Sequence, residues 1–211
     1  MLDAYARKLI DPPLDRVGGL LARAGVSANL VTLIGLGIGL LAAISITTEH
    51  FTLGLWLLLA SRLADGLDGA VARASTRSDF GGYLDITADF AFYGAIPFAF
   101  VLYDPATNGI AGAFLLLSFY VNGASFLGYA ILAEKKGLQT RAQGIKSLYY
   151  SNGILEGTET ILFFVLLCLL PRFFMPLAWL FAIVCFATAI LRVWGAYQAF
   201  GPILSDQQEP K

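Results

Sequence analysis

The sequence predicts an all-α, polytopic membrane protein in which six transmembrane helices follow an amphipathic N-terminal helix. Of its 211 residues, 57% are hydrophobic, and the mean hydropathy is +0.71; soluble domains rarely reach either value. The third observation is six long apolar segments, since each transmembrane helix needs about 20 such residues. Residues 1–204 therefore suit a single membrane domain, and the tail at 205–211 is predicted to be disordered.

The N-terminal segment, residues 1–26, is predicted to lie in the membrane interface. Apolar residues recur there at helical spacing, and four basic residues lie between them: Arg7, Lys8, Arg16 and Arg23. This pattern is typical of a helix with an apolar face on lipid and cations near phosphate head groups. The prolines at 12 and 13 are expected to bend the segment into helical pieces. An ordinary cytosolic extension is the alternative.

Residues 27–204 are predicted to form the six-helix bundle. Its apolar segments cover residues 29–48, 51–74, 79–104, 109–133, 155–171 and 175–201. Basic residues concentrate in the N-terminal segment and in the second and fourth connections, whereas the other three connections hold only Arg172. The positive-inside rule then predicts that both termini and the even-numbered connections face the cytoplasm.

The net charge, the two cysteines and the single histidine argue against several kinds of site. A net charge of −1 gives no reason to expect a nucleic-acid partner. Cys168 and Cys185 lie inside apolar runs and are predicted to be inert core residues rather than a disulfide or a metal pair. The single histidine, His50, lies in a short polar turn and is predicted to be solvated.

Two short motifs place acids inside predicted transmembrane helices: DGLDGAVAR at 65–73 and GGYLDITAD at 81–89. An ionised carboxylate at membrane depth costs several kcal/mol unless it is paired or bound to a cation. Asp65 and Asp68 are three residues apart, and Asp85 and Asp89 are four apart, so each pair shares one helix face. The acids therefore need a common explanation.

The two helices are expected to run antiparallel around a polar cytoplasmic turn at 76–78, which brings the pairs together. Asp68 and Asp85 would each lie roughly 12 Å from that turn, so all the acids should converge just inside the cytoplasmic surface. Convergent carboxylates repel one another, and an all-oxygen site favours Mg²⁺, or Mn²⁺ in its place. Such a site suits phosphoryl chemistry, and Arg73 adds a donor fork for a phosphate.

The spacing of these residues resembles the complete signature of the class I CDP-alcohol phosphotransferase (CDP-alcohol phosphatidyltransferase) family. The run is Asp-x-x-Asp-Gly-x-x-Ala-Arg from Asp65, then seven residues, then Gly-x-x-x-Asp-x-x-x-Asp from Gly81 to Asp89. The resemblance implies that Asp65, Asp68, Asp85 and Asp89 bind metal, and that Asp89 is also the catalytic base. It implies that the CDP group contacts six positions: Asp65, Asp68, Gly69, Ala72, Arg73 and Gly81.

The resemblance also implies an activity. A substituted phosphate would pass from a CDP-alcohol, such as CDP-diacylglycerol, to an acceptor alcohol, with release of CMP. It further implies two Mg²⁺ or Mn²⁺ ions per subunit, a homodimer surrounded by membrane lipid, and residence in the inner (cytoplasmic) membrane with the active site facing the cytoplasm.

One motif departs from the family pattern. Relatives often have Pro-Asn-x-x-Thr at the start of the first span, and this chain has alanine in place of the proline, followed by Asn29 and Thr32. Both residues are candidate donor contacts, but Asn29 is equally compatible with a helix N-cap.

Other polar residues are candidates for acceptor binding. Glu156 and Glu159 open the fifth span and could face the aspartates. They could instead extend to the membrane interface, or pair with Lys146 or Arg192. Arg192 is either such a structural partner or a ligand for an acceptor phosphate. Arg62, one turn before Asp65, is predicted to steady the acid cluster, and three residues of the fourth span are predicted to form interhelical hydrogen bonds: Ser118, Asn122 and Ser125. The acceptor itself is left open among glycerol 3-phosphate, an inositol phosphate, serine, free glycerol and another lipid hydroxyl.

The sequence leaves two rival functions. A cation transporter would also place carboxylates in the membrane, but it would favour internal repeats and broken helices, and the sequence shows neither. The other rival is an inactive scaffold that has lost catalysis, against which the intact set of acids argues.

Overall fold

The computed structural model describes residues 3–136, 155 and 157–201, and every regular element within them is helical. The seven α-helices are α1 (Asp3–Arg23), α2 (Ala28–Thr47), α3 (Phe51–Ala74), α4 (Asp79–Tyr103), α5 (Pro105–Lys135), α6 (Gly157–Leu169) and α7 (Phe174–Phe200). A single 3₁₀ turn, Pro171–Phe173, precedes α7. The all-α fold class is thus confirmed for the described part of the chain. The predicted tail at 205–211 lies outside it.

Among the described residues, four segments are long and apolar enough to cross a membrane: α2, α4, α5 and the stretch Pro171–Phe200 that contains α7. The helix α3 has sufficient length, at 24 residues, but Arg62, Asp65 and Asp68 make it less apolar. The described part of the fifth predicted span, α6, has 13 residues. The structure therefore confirms a membrane-type helical fold, while the count of six spans stays a prediction.

Local capping sets where the helices begin. Ser27 Oγ accepts a hydrogen bond from Leu30 N at the start of α2, and Ser78 Oγ accepts one from Gly81 N at the start of α4. These side chains satisfy backbone N–H groups that have no partner inside the helix. The alternative that Asn29 caps α2 is wrong, because the cap is Ser27 and Asn29 already lies within the helix.

Fully buried phenylalanines form the centre of the bundle. The rings of Phe92 in α4 and Phe164 in α6 meet edge to face with centroids 6.0 Å apart. Phe100 in α4 stacks on Phe174 at the start of α7, with centroids 5.1 Å apart. Such pairs combine burial of a large apolar area with a preferred ring geometry, so α4 is fixed against both C-terminal helices.

Close contacts of small residues join α2 to α3 and α4. A Cβ on Gly39 would lie 2.6 Å from the Phe92 ring, so only glycine allows this approach. Ser61 Oγ in α3 donates a hydrogen bond to Gly35 O in α2 at 2.7 Å, so a polar contact also joins these two helices. Away from this contact, Cys168 and Cys185 are free and buried, and His50 is exposed, as predicted.

The N-terminal helix α1 is continuous, so the expectation that the prolines divide it into pieces is wrong. Both prolines are exposed, and solvent can satisfy backbone carbonyls that lose a partner there. The helix packs along the second half of α3, where Gly18 lies against Ala70 and Val71 and the buried Leu14 lies against Gly66. Its position at the membrane interface stays a prediction.

The contact of Gly18 with α3 yields a stability prediction with an adjacent control. A Cβ on Gly18 would lie 2.7 Å from Ala70 Cβ and 2.8 Å from Ala70 C, whereas one on Gly19 would meet nothing within 4 Å. We expect Gly18→Leu to destabilise the protein by about 1–3 kcal/mol through overpacking, seen as a lower melting temperature in detergent. Gly19→Leu should melt at or above the wild-type temperature. Both substitutions replace glycine by a residue with a higher helix propensity, but only the one at Gly18 adds a steric clash. Equal melting temperatures would contradict the packing of α1 on α3.

Candidate active site

The carboxylates of Asp65, Asp68 and Asp85 come together between α3 and α4. Each offers one oxygen such that the three oxygens lie within 4.8 Å of one another. The helices lead into and out of the short connection at 75–78, and the i,i+3 spacing on α3 places both of its acids on the face toward α4. The predicted convergence of the two acid pairs is confirmed for these three residues.

Asp68 is the most buried acid of the group, with 4% of its surface exposed. Its Oδ2 accepts a short hydrogen bond from the hydroxyl of Thr32 in α2. Thr32 is itself buried, and its hydroxyl also lies 3.1 Å from Ala28 O within α2, so Asp68 Oδ2 is the nearer of its two acceptors. The residue predicted as a candidate donor contact thus holds a carboxylate in place from a third helix.

Asp89 has a different partner. Arg62 Nη1 lies 2.8 Å from Asp89 Oδ1 and 3.4 Å from Asp65 Oδ1, so one guanidinium joins the fourth acid to the first. The guanidinium carbon lies 3.7 Å from the centre of the Phe92 ring, and Nη2 donates to Ser61 Oγ at 3.3 Å. The prediction that Arg62 steadies the acids is confirmed. Metal binding and base catalysis by Asp89 stay predictions.

The chemistry of the three-carboxylate group fits a divalent cation. Hard cations such as Mg²⁺ and Mn²⁺ prefer carboxylate oxygens, and three such oxygens face one another here. Within the described part of the chain, neither Asp68 nor Asp85 has a basic side chain at ion-pair distance. A bound cation would therefore relieve a repulsion that Arg62, through its contacts with Asp65 and Asp89, compensates only in part.

Arg73, the predicted phosphate ligand, is held at the end of α3 by the N-terminal helix. Its Nε and Nη2 both donate to Asp15 Oδ1, at 3.1 and 2.7 Å. Gly69 lies beside it, since a Cβ there would be 3.4 Å from Arg73 Nη1. Sequence reasoning missed Asp15, because nothing in the spacing connects two residues that are 58 positions apart. Ala72, also predicted to contact CDP, is half-buried on the same helix.

Asn29 of α2 and Gly81 of α4 lie side by side. A Cβ on Gly81 would lie 3.0 Å from Asn29 Oδ1 and 3.0 Å from Ser78 Oγ, so this side-chain amide reaches the first turn of α4. The predicted contacts for the CDP-alcohol are therefore distributed over α2, α3 and α4 around one cluster. Their binding roles remain predictions.

A second buried polar group joins α5 to α7. Arg192, with 6% of its surface exposed, donates through Nη1 to Asn122 O, Asn122 Oδ1 and Ser125 Oγ, at 3.1, 2.7 and 2.9 Å. The interhelical role predicted for Asn122 and Ser125 is confirmed, whereas the Ser118 hydroxyl donates to Leu115 O within α5. Glu159 is half-buried in the first turn of α6. Glu156 lies outside the described residues, as does Lys146.

Comparison with known proteins gives a consistent picture. The family model for CDP-alcohol phosphatidyltransferase matches residues 25–194. The inner membrane protein YnjF of Escherichia coli is 43% identical over 197 residues, which cover 93% of this chain and 96% of that protein. An archaetidylinositol phosphate synthase of Pyrococcus horikoshii is 38% identical over 97 residues, covering 46% of this chain and 52% of the relative.

Solved structures share the fold. The phosphatidylinositol phosphate synthase of Mycobacterium tuberculosis with CDP-DAG bound superposes with a TM-score of 0.70 at 20% identity, covering 93% of this chain and 98% of that one. The same enzyme in complex with manganese and citrate gives a TM-score of 0.70 at 19% identity, covering 93% of both chains. At this level of identity, the likeness establishes the helical architecture.

The Thr32 hydroxyl provides a test of the cluster as a metal site. Thr32→Val removes the hydrogen bond to Asp68 and keeps the side-chain shape, and losses of this kind typically weaken metal binding about 10–100-fold. We expect that weakening in Mn²⁺ titrations of the purified protein. Thr32→Ser keeps the hydroxyl and should bind Mn²⁺ nearly as wild type does. Unchanged binding by Thr32→Val would argue against the Asp68 carboxylate as a ligand.

Proposed function

The chain belongs to the CDP-alcohol phosphatidyltransferase family, and we propose that it transfers a phosphatidyl group from CDP-diacylglycerol to an acceptor alcohol with release of CMP. The observation that carries this proposal is the cluster of Asp65, Asp68 and Asp85, each of which offers one carboxylate oxygen within 4.8 Å of the other two. Every signature position from Asp65 to Asp89 is also filled. A structural neighbour binds CDP-DAG, which supports this class of donor.

The proposed cofactor is Mg²⁺, or Mn²⁺ in its place. Asp65, Asp68 and Asp85 would hold one ion, and Asp89 together with Asp65 would hold the second of the two ions expected for this family. Bound cations would neutralise the diphosphate of the donor and stabilise the oxygens that attack and leave. Manganese in the structure of a neighbour supports the choice of metal.

Asp89 is the proposed base. In the structure, Arg62 Nη1 lies 2.8 Å from Asp89 Oδ1. With donor and metal bound, the Asp89 oxygen that is not a metal ligand is proposed to accept the proton of the acceptor hydroxyl. That hydroxyl oxygen forms a bond to the lipid-side phosphorus. The bond between this phosphorus and the bridging oxygen of the diphosphate breaks, and CMP leaves with the bridging oxygen. No covalent intermediate on the protein is needed.

The proposed nucleotide site lies at the cytoplasmic ends of α2, α3 and α4. Asn29 and Gly81 would form one wall, and Gly69 would leave room for the cytidine phosphate beside Arg73. The guanidinium of Arg73 offers a fork suited to a phosphate, and Asp15 fixes that fork through two hydrogen bonds. Aligning the donor in this way lowers the entropic barrier to attack.

The depth of the cluster explains how a lipid donor and a polar acceptor meet. We place the protein in the inner (cytoplasmic) membrane with both termini and the site toward the cytoplasm, following the distribution of basic residues. The relative YnjF is an inner membrane protein, in agreement with this location. The acyl chains of the donor would then remain in the lipid while the diphosphate reaches the aspartates.

The proposal also concerns the identity of the acceptor and the residues that bind it. Glu156, Glu159 and Arg192 are the proposed acceptor-binding residues, the acids for hydroxyl or amine groups and the arginine for a phosphate. Relatives named as inositol phosphate synthases favour a phosphorylated polyol as the first acceptor to test. A homodimer is proposed from the family resemblance, with each subunit holding its own site.

Two other functions predict different outcomes. A cation transporter would move Mg²⁺ or Mn²⁺ across a vesicle membrane and would leave CDP-diacylglycerol intact. An inactive scaffold would bind metal without turnover. Formation of CMP that depends on both metal and acceptor is expected of the transferase alone, so this assay separates it from the other two. Movement of the metal into vesicles then separates the transporter from the scaffold.

Catalysis should require Asp68 and a divalent cation. We expect Asp68→Ala to reduce CMP release by about 10²–10³-fold or more. The divalent cation that would stabilise the reacting phosphate loses one of its ligands in this variant. Chelation by EDTA should abolish activity, and Mg²⁺ or Mn²⁺ should restore it. Gel filtration and melting in detergent check that the variant is folded. Normal turnover by folded Asp68→Ala would refute the assignment.

A panel of acceptors should identify the second substrate. Purified protein in detergent would be incubated with CDP-diacylglycerol, Mg²⁺ and one acceptor at a time: inositol phosphate, glycerol 3-phosphate, serine, glycerol or water. Mass spectrometry of the lipid products shows which alcohol is joined to phosphatidate. We expect one acceptor to raise CMP release well above that with water. Equal rates with every acceptor and with water would indicate hydrolysis and contradict a transferase.

A further inference from the structure

Arg62 occupies the space where the fourth aspartate would meet a second metal ion. We propose that this arginine is a built-in counter-cation, which takes the place of the second divalent ion until a donor diphosphate arrives. This inference rests on the proposed function for the identity of the donor. The prediction that follows from it, that one metal ion binds when no donor is present, concerns metal binding alone and does not require turnover.

The geometry places a single guanidinium nitrogen between two carboxylates of different helices. Arg62 Nη1 lies 2.8 Å from Asp89 Oδ1 on α4 and 3.4 Å from Asp65 Oδ1 on α3. A metal ion shared by the same two carboxylates would need this space as well. The arginine and a second ion therefore compete for one position.

Burial makes this competition strong. Only 9% of the Arg62 side chain is exposed, and its guanidinium lies over the Phe92 ring with 3.7 Å between the guanidinium carbon and the ring centre. Charges in such surroundings are poorly screened, and the ring favours a cation at this place. A second divalent ion would meet the full positive charge of the guanidinium, and like charges at contact distance repel.

The arginine is nevertheless not fully satisfied in this position. Its Nε is buried and has no hydrogen-bond partner among the described residues. An unpaired N–H in the interior is unfavourable, so a new anionic partner would draw the side chain away. The diphosphate of a CDP-alcohol is such a partner, because phosphate oxygens accept the paired N–H groups of an arginine.

The three acids Asp65, Asp68 and Asp85 are left for the first ion. Neither Asp68 nor Asp85 has Arg62 at ion-pair distance, and the Thr32 hydroxyl already orients Asp68. One position is therefore open to metal without any movement, while the other first requires Arg62 to leave. The two ions should bind in order, the second one together with the donor.

Mn²⁺ titration followed by electron paramagnetic resonance tests this order on the full chain in detergent, without donor. We expect wild type to bind one Mn²⁺ per chain, and Arg62→Met to bind two, with the second ion bound at least about tenfold more tightly than in wild type. Arg62→Lys keeps the charge and should again bind one. Two ions in wild type, or one ion in folded Arg62→Met, would overturn the proposal.

Matched variants assign the effect to the Arg62–Asp89 pair. Arg77→Met removes an exposed positive charge from the nearby connection and should leave the count at one. Adding Asp89→Asn to Arg62→Met should return the count from two to one, and a count of two in this double variant would contradict the assignment. Melting temperatures verify folding, and Arg62→Gln serves as a second charge-removing variant if Arg62→Met is unstable. These counts do not involve CMP, so a failed turnover assay would refute the proposed function without affecting them.

Discussion

The repulsion among acids held close together inside a membrane protein is the constraint on which the site depends. Carboxylate oxygens of Asp65, Asp68 and Asp85 lie within 4.8 Å of one another, in surroundings that screen charge weakly. Two neighbours reduce the cost: the Thr32 hydroxyl on Asp68, and the Arg62 guanidinium between Asp65 and Asp89. What remains uncompensated within the described chain is the reason to expect a divalent cation.

The scaffold is arranged so that three helices reach this cluster. Small residues allow the approach: Gly39 accepts the Phe92 ring, which in turn packs against the Arg62 guanidinium. The N-terminal helix contributes from outside, because Gly18 lets it lie against α3 and its Asp15 fixes Arg73. The residues that pack the helices together thus also position the side chains of the site. Weaker packing of one helix should therefore change the geometry of the site.

Local patterns allowed much of this to be predicted. Hydropathy located the helices to within a few residues, and the i,i+3 spacing on α3 with the short connection to α4 was enough to predict that the acids converge. What the sequence could not supply were pairs formed by tertiary packing, such as Asp15 with Arg73. The capping role considered for Asn29 was wrong because α2 begins at Ala28, which makes Ser27 the N-cap residue and places Asn29 inside the first turn. The continuous α1 shows that a proline pair does not always end a helix when its surroundings are exposed.

Anomalous scattering from Mn²⁺ in crystals of the protein tests the central claim most directly. The account predicts a peak between α3 and α4, at about 2.1 Å from oxygens of Asp65, Asp68 and Asp85. Soaking with a CDP-alcohol should bring a second peak next to Asp89. A crystal in Mn²⁺ with no peak at the three aspartates, or with ions bound only elsewhere on the protein, would contradict the account.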